Sequence, residues 1–248
     1  MRGRRRAPGQ GGRRRVGRGV GDPRGLRGAH VTVTEVRGIG VYVRAVTPTA
    51  AQAQADFRVL LDVLSRPGVL GRVGRGDGPA ALAVAAGLAD VEVPTAVLTA
   101  PGEEHWAQAL HLGTSAPPAA PQAARMVVAL RPPAAEEITA LPRGDALHPE
   151  FGARLIAAVT VLEGEGPVPS ALEVPGARGP GVVLSLSGPG VPGARRLRVA
   201  GLPREVFAAL AAANADFPAG VDTFLVAADG TVAGLPRSTR IEIENGEH

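Results

Sequence analysis

FLVAADGTVAGL, residues 224–235, holds the clearest structural signal in the chain. Two short apolar runs flank Asp229-Gly230, and this dipeptide is a strong signal for a two-residue hairpin turn. Turn residues separate three further strand-like runs that lie upstream, namely RLIAAVTVL at 154–162, VVLSLS at 182–187 and RLRVAGL at 196–202. The spacing of these runs predicts a meander of antiparallel strands.

The first half of the chain predicts helices that alternate with strands. A helix begins at Thr47-Pro48 or Thr49 and ends at Pro67-Gly68, and its apolar stripe has helical spacing. The stripe consists of Phe57, Leu60, Leu61 and Leu64. Further helices are predicted at 79–89, 103–112 and 203–213, and further strands at 95–99 and 125–130. Residues 31–46 form either an edge strand or a continuation of the amino-terminal segment. This order predicts an α/β fold, a three-layer arrangement in which a mixed sheet is flanked by helices, with residues 46–248 as one domain.

Two residue types are missing from the 248 residues: the chain has no lysine and no cysteine. Without lysine there is no Schiff base to pyridoxal phosphate, no Walker-loop lysine and no amine nucleophile. Without cysteine there is no thiolate catalysis, no iron–sulfur cluster and no disulfide. Aromatic residues make up only 3% of the chain, so the core must be built from Val, Leu and Ala.

Positive charge is concentrated at the amino terminus. Residues 1–28 hold ten arginines and one acid, whereas residues 29–248 hold 17 arginines and 22 acids. The Arg/Gly-rich segment 1–45 has little apolar surface to bury, which predicts disorder. It could contact nucleic-acid phosphates, but it lacks interleaved aromatic residues for base stacking. We favour the alternative that it is an upstream extension from a misassigned start codon, so nucleic acid is not an expected partner.

Apolar runs in this sequence are all interrupted by Gly, Pro or charge before the length of a membrane span. No apolar stretch of signal-peptide length follows the paired arginines of the amino terminus. The sequence therefore predicts a cytoplasmic protein that does not contact a membrane.

Six strings, taken in order over residues 47–243, resemble one family, the H subunit (PhnH) of the bacterial carbon–phosphorus lyase system for phosphonate use. The strings are FRVLLDVLSRPG (57–68), ALHLGTSAP (109–117), LPRGDALHPEFGARLIAAVTVL (141–162), LSGPGV (186–191), FPAGVD (217–222) and LPRSTRIE (235–242). The second string departs from the family's His-Thr-x-Ala-Pro segment by Leu112 and Gly113.

This resemblance implies a homodimer with a three-layer α/β fold like that of pyridoxal-phosphate-dependent transferases, but without that cofactor's site. The absence of lysine agrees with this loss of the cofactor, and no other cofactor is expected. The resemblance also implies companion subunits, PhnG, PhnI and PhnJ, in an ATP-dependent assembly that transfers an alkylphosphonate to C1 of ribose in exchange for adenine. PhnJ performs the radical step that breaks the carbon–phosphorus bond. The chain is thus expected to support ribosylation of phosphonates without catalysis of its own.

Arg237 is the main candidate site residue, and Ser238 and Thr239 follow it directly. A guanidinium beside hydroxyls and backbone amides suits a phosphate or phosphonate dianion. The alternative, which we favour, is that Arg237 pairs with a carboxylate such as Asp222 and holds the carboxy-terminal hairpin. The backbone amides around Gly188 and Gly190 could likewise form a nest for an anion, although ordinary turn chemistry explains Gly-Pro-Gly as well.

Three other residues lie in the family-like strings. His111 is the best titratable candidate, but a hydrogen-bonded histidine at a helix end or a dimer seam would also explain it. Ser65 has no base near it in sequence and is interpreted as a helix-end hydroxyl. Arg58 faces either a partner subunit or water. His105 lies six residues before His111, which does not bring both rings to one ion, and no metal site is expected.

Adjacent glutamates occur at 103–104 and 136–137, and both pairs are predicted to be solvated residues in the first turns of helices.

Two rival functions remain open. The chain could be a free-standing transferase that binds phosphate or phosphonate with Arg237 as the anion clamp. It could also be a nucleic-acid binder that acts through its Arg/Gly-rich segment.

Overall fold

The computed structural model of the protein describes residues 45–165 and 181–244. These residues form five α-helices, ten β-strands in two sheets, and two short 3-10 helices at Pro121–Ala123 and Pro149–Phe151. The α-helices are α1 (Ala50–Ser65), α2 (Ala80–Ala86), α3 (His105–Thr114), α4 (Ala135–Thr139) and α5 (Arg204–Ala213). The strands are β1 (Leu70–Arg72), β2 (Thr95–Leu98), β3 (Met126–Ala129), β4 (Arg154–Val159), β5 (Val161–Glu163), β6 (Val182–Ser187), β7 (Arg195–Ala200), β8 (Asp222–Ala227), β9 (Thr231–Leu235) and β10 (Arg240–Ile243).

The larger sheet has six strands in the order β1-β9-β8-β4-β3-β2. Strands β2, β3, β4 and β8 are parallel to one another, and β9 runs antiparallel between β8 and β1. The parallel strands are apolar along almost their whole length because both of their faces are covered. The hairpin of β8 and β9 turns at Asp229-Gly230 as predicted, and the Gly230 amide donates to the carbonyl oxygen of Ala227 at 2.9 Å. The loop has three residues, 228–230, so the predicted two-residue turn is wrong in length.

The smaller sheet has four antiparallel strands in the order β10-β6-β7-β5. One of its faces packs against the larger sheet together with α4 and α5, in a core that includes Leu184, Leu197, Phe207 and Leu225. The opposite face of the larger sheet packs against α1, α2 and α3 in a second core, which includes Leu82 and Phe224. Apolar burial on both faces of the larger sheet is what gives the fold three layers.

Helix α1 begins and ends as predicted. The side chain of Thr49 accepts a hydrogen bond from the Gln52 amide, and the helix ends just before Pro67-Gly68. It lies very close to β9, as the surroundings of Gly234 show. A Cβ atom on this glycine would come within 2.8 Å of the backbone of Val63. Glycine at position 234 therefore permits this close approach of helix and sheet.

The predicted apolar stripe of α1 is wrong in two of its four members. Leu60 is buried and Leu64 is partly buried, but Phe57 and Leu61 remain 48% and 51% exposed. The buried face of the helix is centred on Val63, because that side contacts Gly234. Phe57 and Leu61 point outward from the opposite side, one turn apart.

The overall expectation of a mixed α/β protein with helices flanking sheets is confirmed, but the single mixed sheet is two sheets. The predicted strand 154–162 is also wrong in part. It divides at Thr160 into β4, a parallel strand of the larger sheet, and β5, which joins the smaller sheet. The amide of Thr160 donates to the carbonyl oxygen of Ala200 at 2.9 Å, which draws the chain toward β7.

Other predicted elements occur with shifted ends. Helix α3 begins at His105, so Glu103 and Glu104 precede it, and α5 begins at Arg204. Strand β10 was not predicted.

The amino-terminal segment and most of the proposed edge strand at 31–46 lie outside the described residues. In the described part of the chain no helix is both long and apolar enough to cross a bilayer.

Candidate functional site

A groove of about 640 Å³ lies between the turn after β6, the end of α5 and the segment that joins β9 to β10. The groove brings together four of the five residues predicted to bind an anion: Gly188, Arg237, Ser238 and Thr239. Phe217 and Arg240 also line it. Among the described residues, the charged groups that line the groove are Arg237 and Arg240, and no carboxylate lines it.

The guanidinium of Arg237 is hydrogen-bonded to protein groups through all three of its nitrogens. Nη2 donates to Oδ2 of Asp222 at 2.7 Å, and Nε lies 3.2 Å from both oxygens of the same carboxylate. Nη1 donates to the carbonyl oxygens of Pro149 and Pro218. The side chains of Arg237 and Asp222 are only 14% and 22% exposed. This is the pairing with Asp222 that we favoured from the sequence. Most N–H donors of the Arg237 guanidinium are therefore used in hydrogen bonds within the protein.

Strand register explains why these two residues meet. Thr223 of β8 lies opposite Leu235 of β9, so Asp222 and the chain just after Leu235 are neighbours at the same edge of the sheet. The amide of Arg237 also donates to Oδ1 of Asp222 at 2.9 Å. The chain then makes a tight turn over residues 236–239, in which the Thr239 amide donates to the carbonyl oxygen of Pro236 at 2.8 Å. The ion pair therefore fixes the turn that carries Ser238 and Thr239.

Thr239 and Arg240 differ from Arg237 in having unused polar groups. Thr239 is only 3% exposed, and its Oγ1 is buried with no hydrogen-bond partner in the described part of the chain. Arg240 is exposed, and its guanidinium forms no ion pair with any carboxylate of the described residues. Our sequence interpretation overlooked Arg240, although it lies in the same LPRSTR string. The available signal was its position three residues after Arg237.

The turn after β6 holds Gly188 and Gly190, which have different surroundings. A Cβ atom on Gly188 would lie 2.9 Å from the carbonyl oxygen of Ser238, so this glycine belongs to the groove. A Cβ atom on Gly190 would lie 2.0 Å from the carbonyl oxygen of Ser65. Gly190 therefore packs against the end of α1, and the groove lining does not include it. The Ser65 hydroxyl donates to the carbonyl oxygen of Asp62 at 2.8 Å, which is a helix-end role.

His111 lies in the last turn of α3, away from the groove residues. Its Nδ1 is 2.9 Å from the carbonyl oxygen of Ala116, just beyond the helix. The hydroxyl of Thr114 accepts from the Ala116 amide and donates to the carbonyl oxygen of Leu110. The histidine and the threonine thus close the helix end, which is one of the structural alternatives given above. Arg58 is exposed on α1.

An aromatic and cationic cluster near the Arg237 corner was not predicted from the sequence. The guanidinium carbon of Arg125 lies 4.5 Å from the ring centroid of Phe151, and the His148 ring stacks on the same phenyl at 5.2 Å. Nη1 of Arg125 donates to the carbonyl oxygen of Glu150 at 2.9 Å. This cluster holds the short 3-10 helix whose Pro149 carbonyl accepts from Arg237.

The paired glutamates are only partly as predicted. Glu136 is exposed in the first turn of α4, but Glu137 accepts two hydrogen bonds from Arg131, at 2.7 and 2.8 Å, and one from the Ala134 amide. The Arg131 side chain is the main cause that lowers the pKa of Glu137 below its ordinary value. Glu104 accepts from the Gly102 amide at the entrance to α3. Within residues 45–165 and 181–244, no group of three His, Asp or Glu side chains is arranged to hold a metal ion.

The chain is similar to a class of bacterial proteins of phosphonate metabolism, since residues 45–242 match the family model described as bacterial phosphonate metabolism protein (PhnH). The match spans most of the chain, and the protein therefore belongs to the PhnH family, as the six ordered strings indicated. A relative in Rhizobium meliloti (strain 1021) is 29% identical over 214 residues, which cover 82% of this chain and 97% of the relative. That relative is named as the PhnH subunit of alpha-D-ribose 1-methylphosphonate 5-triphosphate synthase.

Proposed function

We propose that this protein is a subunit of an assembly that makes alpha-D-ribose 1-methylphosphonate 5-triphosphate, and that it supports this transfer without catalysis of its own. The observation that carries the proposal is the match of residues 45–242 to the PhnH family, together with a relative named as a subunit of that synthase. The site geometry is consistent with an auxiliary role. The main cation predicted from the sequence, Arg237, pairs with Asp222, and His111 closes a helix end.

The proposal includes assembly with the companion subunits PhnG, PhnI and PhnJ in the cytoplasm, and self-association as a homodimer. For the dimer contact we propose the outer face of α1, where Phe57 and Leu61 are about half exposed one turn apart. Large apolar side chains left together on a helix surface favour contact with another protein surface. Arg58, which is exposed on the same helix, would lie at the margin of this contact.

The self-association is tested by measuring the mass of the chain in solution. The wild type is expected to be a dimer, and the double variant Phe57→Ser with Leu61→Ser a monomer with an unchanged circular dichroism spectrum. The matched control is Leu147→Ser, which removes a leucine that is 86% exposed elsewhere on the surface. A wild type that stays monomeric at high concentration would rule out the homodimer, and a double variant that remains dimeric would move the contact away from α1.

The subunit role is tested in two ways. Growth on methylphosphonate should be restored when the chain is supplied to a bacterium that lacks only its PhnH-family protein, and the chain should co-purify with the other subunits. The chain alone, incubated with ATP and methylphosphonate, should release no adenine. Turnover by the isolated chain would instead identify a free-standing transferase, and failure of both rescue and co-purification would contradict the proposal.

A further inference from the structure

We infer that the groove binds the oxyanion of a phosphate or phosphonate group through Arg240, Ser238 and Thr239, and that Arg237 is a positioning residue. This inference goes beyond the proposed function, because it assigns a ligand site to the chain itself. It is tested on the isolated chain, so a negative result leaves the subunit role untouched.

The first support is the charge of the groove. Arg237 is neutralised by Asp222, so Arg240 supplies the uncompensated positive charge among the described residues that line the groove. An arginine without a carboxylate partner has all of its donors available for a planar, forked contact to an oxyanion. Since no carboxylate from residues 45–165 or 181–244 lines the groove, an incoming anion meets no like charge from that part of the chain on the groove wall.

The second support is the hydroxyl of Thr239. This residue lines the groove and is 97% buried, yet its Oγ1 has no hydrogen-bond partner among the residues that the structure describes. A buried polar group without a partner destabilises a folded protein, and native proteins rarely keep one unless something else occupies the place of the partner. An oxyanion in the groove could accept a hydrogen bond from this hydroxyl.

The third support is the position of two serine hydroxyls. Ser187 is the direct cross-strand partner of Arg240, so the two side chains start a short distance apart on one face of the smaller sheet. Ser238 lies in the turn that Asp222 and Arg237 fix. A rigid turn holds its donors in place before a ligand arrives, which reduces the entropy lost on binding. This is how Arg237 contributes without touching the ligand.

The position of Phe217 is relevant to which kind of molecule carries the oxyanion. It lines the same groove and is 64% exposed, so its ring is available to stack on a nucleobase. The volume of the groove lies within the range usual for small-molecule sites. Two sources share the phosphoryl or phosphonyl chemistry, a nucleotide and a free alkylphosphonate, and the experiment separates them.

The test is calorimetric titration of the isolated chain with inorganic phosphate, methylphosphonate, ATP and adenosine. Saturable binding of at least one of the three oxyanions, weakened by added salt, is expected, and adenosine should bind more weakly than ATP or not at all. Tighter binding of ATP than of phosphate, lost in Phe217→Ala, would identify a nucleotide as the ligand. Equal affinities that Phe217→Ala does not change would identify a free phosphate or phosphonate. Absence of saturable binding up to about 10 mM of each oxyanion, or binding of adenosine as tight as that of ATP, would overturn the inference.

Three variants locate the site. Arg240→Ala should weaken oxyanion binding about 10- to 100-fold, whereas Arg240→Lys should keep part of it, because one charge-assisted contact remains. The matched control is Arg75→Ala. Arg75 is also exposed without a described carboxylate partner, but it lies beside Gly230 at the opposite edge of the larger sheet. Equal affinities in Arg240→Ala and the wild type would place the anion elsewhere.

Thr239→Val provides a second, independent readout. It replaces the hydroxyl by a methyl group of similar shape, so it should weaken oxyanion binding about 5- to 10-fold while the unliganded chain becomes no less stable. A hydroxyl with a purely structural role would show the reverse pattern, namely lost stability and unchanged binding, and that pattern would overturn this part of the inference.

Discussion

Arg237 and Arg240 lie three residues apart on the wall of one groove, yet they occupy opposite physical situations. Arg237 is 14% exposed and donates to a carboxylate and two carbonyl oxygens, whereas Arg240 is exposed and has no described carboxylate partner. The first resembles a buried ion pair, in which removal of either member leaves the other uncompensated. The second has no carboxylate partner among the described residues, so removal of its charge should change the stability of the fold little.

The contrast teaches that residue type and family resemblance do not distinguish a ligand-binding arginine from a structural one. The distinguishing quantity is the number of guanidinium donors that remain after the protein's own acceptors have been counted. By that measure Arg237 uses four of the five N–H donors of its guanidinium, whereas the guanidinium of Arg240 has no hydrogen bond to the described residues, and the stability of variants should reflect this difference.

The largest effect is expected for Asp222→Ala. This change leaves the guanidinium of Arg237 largely buried without its carboxylate, so the free energy of unfolding should fall by about 3 kcal/mol. Urea denaturation at neutral pH measures it. Asp62→Ala is the control, since Asp62 and its partner Arg66 are both about half exposed and the loss of their ion pair should lower the free energy of unfolding less. A loss below about 0.5 kcal/mol for Asp222→Ala would show that the Arg237 corner is not structural.

A similar contrast holds for two glycines of the turn after β6. Gly190 has a φ of +80°, and a Cβ atom there would meet the carbonyl oxygen of Ser65 at 2.0 Å. Gly190→Ala should therefore lower the free energy of unfolding by about 2 kcal/mol or more, because it strains the backbone and displaces the end of α1. Gly193 has a φ of +71° with nothing within 4 Å of a Cβ atom, so Gly193→Ala should cost only about 1 kcal/mol. Equal losses in the two variants would mean that the contact with Ser65 contributes nothing.

Local signals in the sequence were enough for the ends of α1 and for the β8–β9 hairpin. Thr49 caps the helix and Asp229-Gly230 makes the turn through contacts only two or three residues away. The division between β4 and β5 was beyond such signals, because RLIAAVTVL contains no Gly, Pro, Asn or Asp that would mark a turn. Only the pairing of Thr160 with Ala200, 40 residues away, decides where it divides.

The sequence also predicted only part of the candidate site. Strand order placed Asp222 and Arg237 at one edge, so their pairing could be named from the sequence. The partnerless state of Arg240 and of the Thr239 hydroxyl depends on which distant side chains reach them, and no local pattern contains that information. The exposed side of α1 is a similar case, because Gly234 of β9 determines which face of the helix is buried.

The ion pair of Arg131 and Glu137 is intermediate in exposure, so its loss should lower the free energy of unfolding by an intermediate amount. Arg131 and Glu137 are 34% and 29% exposed, so Glu137→Gln should lower the free energy of unfolding by about 1 kcal/mol or less at pH 7. The hydrogen bonds from Arg131 lower the pKa of Glu137 in the folded state. The stabilisation is therefore fully present above the unfolded pKa of about 4.3 and is lost as the pH falls through the folded value.

Urea denaturation of the wild type and of Glu137→Gln at several pH values checks this sign. The difference between the two proteins should be constant from pH 7 down to about pH 5 and should shrink toward zero at lower pH. Glu136→Gln, one residue away and exposed, is the control and should show no such dependence. A difference that grows as the pH falls would contradict the assignment.

The smallest effect is expected for Arg240→Ala, which should change the free energy of unfolding by less than about 0.5 kcal/mol. Arg240 forms no ion pair with the described residues, so its removal uncovers no buried charge and breaks no hydrogen-bonded turn. Arg237→Ala is the paired measurement, and it should be clearly more destabilising because Asp222 loses the guanidinium and keeps only the backbone amide of residue 237 as a donor. If Arg240→Ala proved as costly as Arg237→Ala, both arginines would be structural, and the groove would have no free cation with which to hold an oxyanion.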